Sequence, residues 1–453
     1  MNFSNKKVLV VGTGKSGIAA AELLERHGAD LIVFEGNNLI KKTDIMQKSK
    51  AFEKAVIWIG NFKEEELGKI ELAVLSPGVP VDLPEIVKLK ENNIPVIGEI
   101  ELAYQCAKGD VLAITGTNGK TTTTTLLGEI MNLYSNDVKV VGNIGIPYTT
   151  VADETKESTI VVAEISSFQL ETICEFRPKV SAILNITPDH LNRHHTIENY
   201  RKAKESITKN QTSDDYCVLN YENENLREFS KTISAKTIFF SSERVLQDGF
   251  YLDGDNIYFV CENKKEIVCN VHELNILGKH NYENVMAATA MAWVYGVPFP
   301  KIKEALIHFQ AVEHRIEYVT EKRGIKFYND SKGTNPDAAI KGIQAMNRPT
   351  FLIGGGYDKQ SDYTEWIQAF EGKVRKLVLI GATKQIIADT AERLNFHAYE
   401  FANSLKEALQ ICYDNASEGD AILLSPACAS WDMFKSYEER GDLFKEMVLN
   451  LKE

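Results

Sequence analysis

The sequence has few cysteines and no long apolar run. Seven cysteines stand among 453 residues without a C-x-x-C pair. Such an odd, scattered set is typical of free thiols in a reducing compartment rather than of a disulfide framework. No stretch of about 18 apolar residues occurs, so we expect no membrane span. The N-terminus, MNFSNKKVLVVG, also lacks the apolar segment of a signal peptide, and we therefore expect a cytoplasmic protein.

Positive charge is scarce as well. The 51 Lys and Arg residues are outnumbered by 63 Asp and Glu residues, which gives a net charge of −12. Proteins that bind nucleic acids present a basic face to the phosphate backbone, so we expect no nucleic-acid partner. The chain is 44% hydrophobic, which is enough for several cores, and its length predicts roughly two to four domains.

Strand-like and helix-like stretches alternate along the chain, which indicates an α/β protein with parallel sheets. We predict three domains. Residues 1–107 open with KKVLVVG, a glycine-rich turn and the helix pattern SGIAAAELLERHG, which indicate a Rossmann-like unit. Residues 108–311 begin near DVLAITG and include a hairpin-rich segment from Thr237 to Leu277. Residues 312–453 return to alternating strands and helices and resemble another Rossmann-like unit.

The first glycine-rich loop, Gly12–Gly17, follows a strand and precedes a helix, and Glu35 ends the next strand. This arrangement meets the usual criteria for a dinucleotide site, in which backbone N–H groups and a helix N-terminus hold a diphosphate. Three interpretations stay open on this motif alone. The loop binds NAD, it binds another diphosphate ligand, or it is a tight turn that binds nothing.

A second loop lies within ITGTNGKTTTTTL, Ile114–Leu126, between an apolar strand and a helix. Only two residues separate Gly116 from Gly119, which predicts a tighter loop than the common P-loop. Its backbone N–H groups can hold a triphosphate, Lys120 can neutralise the outer phosphates, and the Thr121 hydroxyl can bind Mg²⁺. The alternative is a chance match in a glycine turn. An NAD enzyme needs no such loop, whereas a protein that uses ATP to join a nucleotide-tagged substrate to another molecule needs both loops.

Two further candidates follow apolar strands of the same predicted domain. Glu164 lies at the end of the predicted strand in TIVVAEISS. The carboxyl ends of strands in open α/β sheets face the ligand crevice, so Glu164 is suited to binding Mg²⁺. The alternative is a solvated acid at a strand end. His190, in NITPDHLNRHH, is either a metal ligand or a structural histidine. We expect the neighbouring His194 and His195 to be loop histidines.

Lys204 occupies an unusual position. In TIENYRKAKESI, Tyr200, Lys204 and Ile207 fall on one face of a predicted helix. A lysine on an apolar stripe commonly extends its amine to water. The functional alternative is a lysine with a lowered pKa, whose neutral amine could react with CO₂ to give a metal-binding carbamate.

Together these motifs resemble those of the Mur ligases over essentially the whole chain. The segments concerned are GTNGKTT, EISSFQL, NITPDHLNRH, YRKAK, GKHNYENVMAA, HRIE, NDSKGTNPDA and LSPACASWDMF. The last two are most similar to those of the D-glutamate-adding members. The resemblance implies three α/β domains and an ATP-dependent amide ligation through an acyl phosphate. It also implies UDP-N-acetylmuramoyl-L-alanine and D-glutamate as substrates, two Mg²⁺ ions and a carbamylated lysine.

The resemblance also implies roles for individual residues. The ATP set comprises Gly116, Thr117, Asn118, Gly119, Lys120, Thr121, Thr122, Asn281, Asn284, Arg315 and Asp330. Lys120, Glu164, His190 and Lys204 would be catalytic, with Thr121, Glu164, His190 and the Lys204 carbamate as metal ligands. The UDP set comprises Gly14, Lys15, Ser16, Glu35, Ser76, Pro77, Gly78 and Asn143. The D-glutamate set comprises Lys332, Thr334, Lys359, Ser430 and Tyr437.

Other functions stay open at this stage. A sister ligase would use the same chemistry with a different amine, and residue types alone do not distinguish D- from L-glutamate. A dinucleotide oxidoreductase would explain the first loop but leave GTNGKTT without a role. A non-catalytic nucleotide-binding scaffold would use both loops without forming an amide bond. We expect a monomer.

Overall fold

The structure is a computed structural model that describes residues 3–310, 313–357 and 361–452. The described residues form two compact units. The first comprises those of Met1–Cys269 and Glu283–Leu306, and the second comprises those of Asn270–Tyr282 and Ile307–Glu453. The described residues form three sheets, which lie within residues 1–107, 108–311 and 312–453. The predicted α/β class is confirmed, whereas the boundary predicted at residues 311 and 312 lies outside the described residues.

The first sheet is parallel throughout and belongs to the first unit. Its strands are β1 (Lys7–Val11), β2 (Asp30–Glu35), β3 (Val56–Ile59), β4 (Leu72–Leu75) and β5 (Val96–Gly98), in the spatial order β3-β2-β1-β4-β5. The helices are α1 (Lys15–Arg26), α2 (Lys42–Met46), α3 (Lys50–Glu53), α4 (Pro84–Glu91) and α5 (Glu99–Cys106). Because β1 lies between β2 and β4, the first glycine loop leaves the sheet where the strand order reverses, the usual ligand position in such sheets.

The second sheet, also of the first unit, has the order β14-β13-β12-β11-β10-β9-β6-β8-β7. Its strands are β6 (Asp110–Thr115), β7 (Val138–Gly142), β8 (Ile160–Glu164), β9 (Val180–Ile183), β10 (Tyr216–Asn220), β11 (Lys236–Ser241), β12 (Gly249–Asp253), β13 (Asn256–Cys261) and β14 (Lys264–Asn270). Strands β6 to β12 pair in parallel, and β12 and β13 form the antiparallel hairpin that the sequence predicts. The second glycine loop follows β6, between the ends of β8 and β9.

The helices of this part of the chain are α6 (Lys120–Tyr134), α7 (Tyr148–Val151), α8 (Ser167–Leu170), α9 (Leu191–His194), α10 (Ile197–Glu205), α11 (Glu224–Ser230), α12 (Lys279–Tyr295) and α13 (Phe299–His308). Short 3₁₀ turns occur at Glu64–Lys69, Ala152–Glu154, Ser206–Thr208 and Val271–Glu273. One continuous apolar core includes side chains from both sheets of the first unit. This shared core keeps the two glycine loops within a single compact body.

The third sheet belongs to the second unit and has the order β15-β16-β20-β17-β18-β19. Its strands are β15 (Glu317–Lys322), β16 (Ile325–Asn329), β17 (Thr350–Gly354), β18 (Val374–Leu379), β19 (Tyr399–Phe401) and β20 (Ala421–Leu424). Only the β15–β16 pair is antiparallel among the described pairings of this sheet. The helices are α14 (Pro336–Ala345), α15 (Thr364–Gln368), α16 (Lys384–Arg393), α17 (Leu405–Asn415) and α18 (Tyr437–Leu449).

Among the described residues, no helix combines the length and the apolar character needed to cross a lipid bilayer.

Candidate active site

The first glycine loop leaves the N-terminus of α1 open to solvent. Gly14 and Lys15 are exposed, Ser16 is half-buried, and nothing lies within 4 Å of where a Cβ on Gly14 would stand. A Cβ on Gly17 would lie only 2.0 Å from the Gly12 carbonyl oxygen, so glycine permits the close packing of helix against loop. The exposed N–H groups at the start of α1 are suited to binding an anion.

The acid beside this loop is already bound by protein groups. Thr13 Oγ1 donates to Glu35 Oε2 at 2.5 Å, and the Asn37 N–H donates to Glu35 Oε1 at 3.0 Å. Lys48 Nζ donates to the Thr13 carbonyl and hydroxyl oxygens, both at 3.1 Å. Sequence reasoning missed Thr13 and Lys48, because no spacing rule connects Lys48 to a loop 35 residues earlier.

The other predicted UDP residues lie in two places. Ser76 Oγ is 3.4 Å from the Gly12 carbonyl oxygen and donates to it, so the structure brings the Ser76–Gly78 turn to the first loop. Pro77 is half-buried and Gly78 is exposed. Asn143 instead donates its side-chain amide to Glu164 Oε1 at 2.7 Å, which places it beside the second loop.

The second glycine loop is held tightly by its surroundings. The Asn118 N–H donates to Asn185 Oδ1 at 2.8 Å, and Asn185 Nδ2 donates back to the Asn118 carbonyl at 3.1 Å. Thr117 Oγ1 donates to the Thr187 carbonyl at 3.1 Å and accepts from the Thr187 N–H at 3.0 Å. Asn185 and Thr187 both follow β9, so that strand end forms one wall of the loop.

Glycine is required at the end of this loop. Gly119 has φ +86°, and a Cβ there would lie 2.2 Å from Asn284 Oδ1. Asn284 also accepts from Thr123 Oγ1 at 3.3 Å, so it contacts the first turn of α6. Asn281, which is also predicted to contact ATP, belongs to the second unit. Its side chain donates to the Leu277 carbonyl at 2.8 Å.

Two lysines converge on one carbonyl oxygen. Lys120 Nζ and Lys204 Nζ both donate to Gly116 O, at 2.9 Å and 2.7 Å. Lys204 is 1% exposed, so its amine does not reach water as an amphipathic lysine would. Burial, together with the positive charge of Lys120, lowers the pKa of Lys204 to about 6, against the opposing influence of Asp189 and Glu164. The Lys204 amine is therefore mostly neutral at pH 7, and a neutral amine is nucleophilic.

Glu164 ends β8 beside these lysines and is 1% exposed. Its Oε1 accepts from Asn143, whereas its Oε2 is buried without a hydrogen-bond partner in the described part of the chain. A buried carboxylate oxygen without a partner is costly, and hard cations such as Mg²⁺ bind such oxygens. The donor set around Glu164 therefore fits a magnesium ion.

Besides Lys204, the remaining predicted metal ligands are Thr121 and His190. Thr121 is half-buried in the first turn of α6, and Thr122 behind it is buried. His190 has a half-exposed side chain, and its ring lies 4.9 Å from that of Phe168. The expectation for its neighbours is wrong for His194, which is buried at 4% exposure in helix α9, because Phe168 and Tyr200 enclose its ring. His195 remains exposed.

The second unit brings together the segments that follow β16 and β20. Asp330 accepts from Ser425 Oγ at 2.6 Å and from the Ile316 N–H at 3.3 Å. Burial raises the pKa of Asp330 to about 7, although Ser425 and the Arg315 charge oppose this shift. Arg315 Nε is buried without a hydrogen-bond partner in the described ranges.

The predicted D-glutamate residues that the structure describes lie on the loops that follow β16 and β20 and at the start of α18. Lys332 Nζ lies 5.6 Å above the Tyr437 ring, Thr334 is half-buried and Ser430 is buried. Burial raises the pKa of Tyr437 to about 12. Lys359 lies outside the described residues. Sequence reasoning missed Arg440, a buried cation that donates to the Ser331 and Cys428 carbonyls at 2.7 Å and 3.2 Å and so holds both loops.

Fold and site together define a multidomain α/β protein with two glycine loops in one compact unit, each between a parallel strand and a helix. Three family models match the chain in order. They are the Mur ligase MurD-like N-terminal domain at residues 6–98, the Mur ligase middle domain at 114–292, and the Mur ligase glutamate ligase domain at 314–428. The three matched segments follow one another along the chain without overlap.

Full-length relatives narrow the assignment. The chain is 56% identical over 453 residues to the UDP-N-acetylmuramoylalanine--D-glutamate ligase of Lachnoclostridium phytofermentans, with all of both chains covered. It is 54% identical over 451 residues to the ligase of that name from Lachnospira eligens, again with both chains covered completely. The chain therefore belongs to the Mur ligase family, in the branch of the UDP-N-acetylmuramoylalanine--D-glutamate ligases, and the resemblance drawn from its motifs is confirmed.

Solved structures of other family members share the fold. MurF from Acinetobacter baumannii has a TM-score of 0.63 at 16% identity, with 98% of this chain and 93% of that chain covered. MurC from Thermotoga maritima has a TM-score of 0.60 at 20% identity, with 99% and 100% covered. At these identities the similarity concerns the three-domain fold alone.

Proposed function

We propose that the protein joins D-glutamate to UDP-N-acetylmuramoyl-L-alanine in an ATP-dependent reaction that releases ADP and phosphate. The observation that carries the proposal is full-length identity above 50% to ligases named for this reaction. The two glycine loops of the first unit support it, because the reaction needs one site for a nucleotide-tagged substrate and another for ATP. The product would serve peptidoglycan synthesis, and cytoplasmic ATP and nucleotide sugars would supply the reaction.

The chemistry requires activation of a carboxylate. A carboxylate is a poor electrophile because oxide would have to leave, so ATP first transfers its γ-phosphoryl group to the carboxylate oxygen. The amine of D-glutamate then attacks the acyl carbon, and phosphate leaves with its carbon–oxygen bond broken. In the second loop, Gly116–Thr122 would hold the phosphates of ATP, and Lys120 would counter the charge that develops on the transferred group.

A carbamate on Lys204 fits the geometry of this site. The neutral amine would add to CO₂ with loss of one proton, which replaces a buried neutral amine by an anion. Glu164 and Thr121 would hold one Mg²⁺ ion, and His190 and the Lys204 carbamate would hold a second. These ions would offset the negative charge of the phosphate oxygens when bound. Glu164 Oε2, which has no hydrogen-bond partner among the described residues, supports a cation at this position.

The other residues would bind the rest of the substrates. Gly14, Lys15, Ser16 and the Ser76–Gly78 turn would contact the UDP group, together with Glu35 and Asn143. Lys332, Thr334, Lys359, Ser430 and Tyr437 would bind D-glutamate, whose two carboxylates need cations and hydroxyls. Asn281, Asn284, Arg315 and Asp330 would complete the ATP site. No oligomeric partner is needed for these roles, and we propose a monomer with the three domain ranges predicted from sequence.

The test is phosphate release from ATP in the presence of UDP-N-acetylmuramoyl-L-alanine and one amine at a time. D-glutamate, L-glutamate, L-lysine, diaminopimelate and buffer alone would be compared, with and without bicarbonate. We expect release with D-glutamate only. Lys204→Ala should abolish it, whereas Lys202→Ala should not, because Lys202 lies on the same helix with its side chain 66% exposed. Release with another amine would indicate a sister ligase. No release from folded protein that binds ATP would favour the scaffold.

A further inference from the structure

The short helix α9, which carries the segment after His190, has unusual backbone at both ends. His190 has φ +50° and His195 has φ +66°, and neither is glycine. Left-handed conformations are uncommon for residues with a Cβ and persist where surrounding contacts enforce them. The placement of His190 therefore depends on the side chains that fix α9.

Those contacts centre on Glu171. Its Oε2 accepts from Arg193 at 2.6 Å, and its Oε1 lies 3.3 Å from His194 Nδ1. Ser167 Oγ is 3.0 Å from His194 Nε2. Burial lowers the pKa of His194 to about 4, so the ring is neutral, with one donor for Glu171 and one acceptor for Ser167. The Arg193 guanidinium lies 5.0 Å above the Phe168 ring, and 10% of its side chain is exposed.

Arg193 also extends to the turn beside the first glycine loop. Its NH2 group donates to the Val79 carbonyl at 2.9 Å. The Val79 N–H donates to the Ser76 carbonyl at 2.9 Å, and Ser76 Oγ in turn donates to the Gly12 carbonyl. A continuous set of contacts thus runs from the first loop through Arg193 to the helix that follows His190. An exposed contact between His195 and Asp82, at 3.0 Å, joins the same two segments.

We propose that Arg193 is a positioning residue that couples occupancy of the Ser76–Gly78 turn to the placement of His190 beside the second loop. The inference rests on the proposed function, since it takes the turn as the UDP site and His190 as part of the ATP and metal site. A planar guanidinium can hold the Val79 carbonyl and the Glu171 carboxylate in one fixed geometry, which a lysine ammonium does not reproduce. Binding of the UDP substrate would then order the side of the ATP site that His190 occupies.

The experiment compares Arg193→Lys, Arg193→Met and the control His195→Gln, which removes the exposed contact only. Steady-state kinetics would give kcat and the KM for each substrate. Calorimetry would give the Kd of UDP-N-acetylmuramoyl-L-alanine with and without Mg²⁺ and a non-hydrolysable ATP analogue. In the wild type we expect the analogue to tighten substrate binding by about 10-fold, within the usual range of coupling between sites.

Both Arg193 variants should lose this tightening, lower kcat at least about 10-fold and leave the KM for D-glutamate unchanged, because only the link between the two sites is broken. His195→Gln should behave as the wild type within about 2-fold, since exposed ion pairs contribute little. Unchanged coupling in a folded Arg193→Lys variant would overturn the proposal. If Arg193→Met does not fold, the coupling is measured in Arg193→Lys and Glu171→Gln instead. A wild type that forms no amide product would instead contradict the proposed function, while calorimetry still reports the coupling.

Discussion

The two glycine loops of the first unit have the same plan but different acids. Each follows a central parallel strand, and each has a glutamate at the end of a neighbouring strand. Both Glu35 oxygens accept hydrogen bonds from protein, whereas Glu164 has one buried oxygen without a described partner. The first loop is therefore electrostatically complete around its acid. The second offers a buried carboxylate oxygen to a cation, and we expect this difference to separate a loop that only binds its ligand from a loop at which the reaction takes place.

The lysines differ in the same way. Lys15 at the first loop is exposed, whereas Lys120 at the second is half-buried and shares the Gly116 carbonyl with the buried Lys204. We expect Lys120→Ala to lower kcat by about 100- to 1,000-fold, because its charge would act on the transferred phosphoryl group. Lys15→Ala should raise the KM for the UDP substrate with little change in kcat. Steady-state kinetics on both variants measures kcat and KM. Equal losses of kcat would contradict the different roles assigned to Lys120 and Lys15.

The two acids can be compared by isosteric change. Glu164→Gln should lower kcat by about 100-fold or more, because the site loses a cation ligand. Thermal unfolding should show little loss of stability, since the amide can still accept from Asn143 and no buried charge remains. Glu35→Gln should instead cost about 1 kcal/mol of unfolding free energy, since a carboxylate with two acceptor oxygens is replaced by an amide with one. A Glu164→Gln enzyme of full activity would contradict the metal assignment.

Glycine substitutions sharpen the comparison at the backbone. Gly119→Ala places a Cβ 2.2 Å from Asn284 Oδ1 at φ +86°, so we expect loss of about 1–3 kcal/mol of unfolding free energy and weaker ATP binding. Gly14→Ala has open space around its Cβ and φ −79°, and should be nearly neutral for stability. Denaturant unfolding of the two variants, with ATP binding by calorimetry, checks both expectations. Equal destabilisation by the two substitutions would mean that the second loop is not the tighter one.

The smallest effect concerns pH. The folded-state pKa of Lys204 is lowered from 10.5 to about 6, so the group lowers stability progressively as pH falls from 10.5 towards 6. Below pH 6 the amine becomes protonated and cannot add CO₂. We therefore expect bicarbonate to stimulate activity a few-fold near pH 8, because it would convert the fraction of enzyme that lacks the carbamate. The stimulation should become progressively smaller as pH falls through 6. The direct check is the ¹³C resonance of a lysine carbamate in enzyme supplied with ¹³C-labelled bicarbonate. This resonance should be absent in Lys204→Ala but present in Lys202→Ala.

The sequence predicted both glycine loops and the acid beside each of them, but not the burial and the contacts by which the two loops differ. Strand, glycine and helix patterns predicted both loops, and the spacing of Tyr200, Lys204 and Ile207 predicted their common face, which is buried. Sequence spacing did not distinguish a buried lysine from one that reaches water. It also did not connect Lys48 with Thr13, or Arg193 with Val79, because these pairs depend on how separate segments pack. Arg440 gave no signal beyond its place on a helix.

The measurement that tests the account most directly follows an oxygen atom. UDP-N-acetylmuramoyl-L-alanine labelled with ¹⁸O in its free carboxylate would be incubated with ATP, D-glutamate and enzyme, and the released phosphate examined by mass spectrometry. If the second loop promotes transfer of the γ-phosphoryl group to that carboxylate, each phosphate formed with the amide carries one labelled oxygen. Lys120→Ala should lose this product, and Lys15→Ala should retain it. Amide formation with unlabelled phosphate would contradict the acyl phosphate and the role assigned to the second loop.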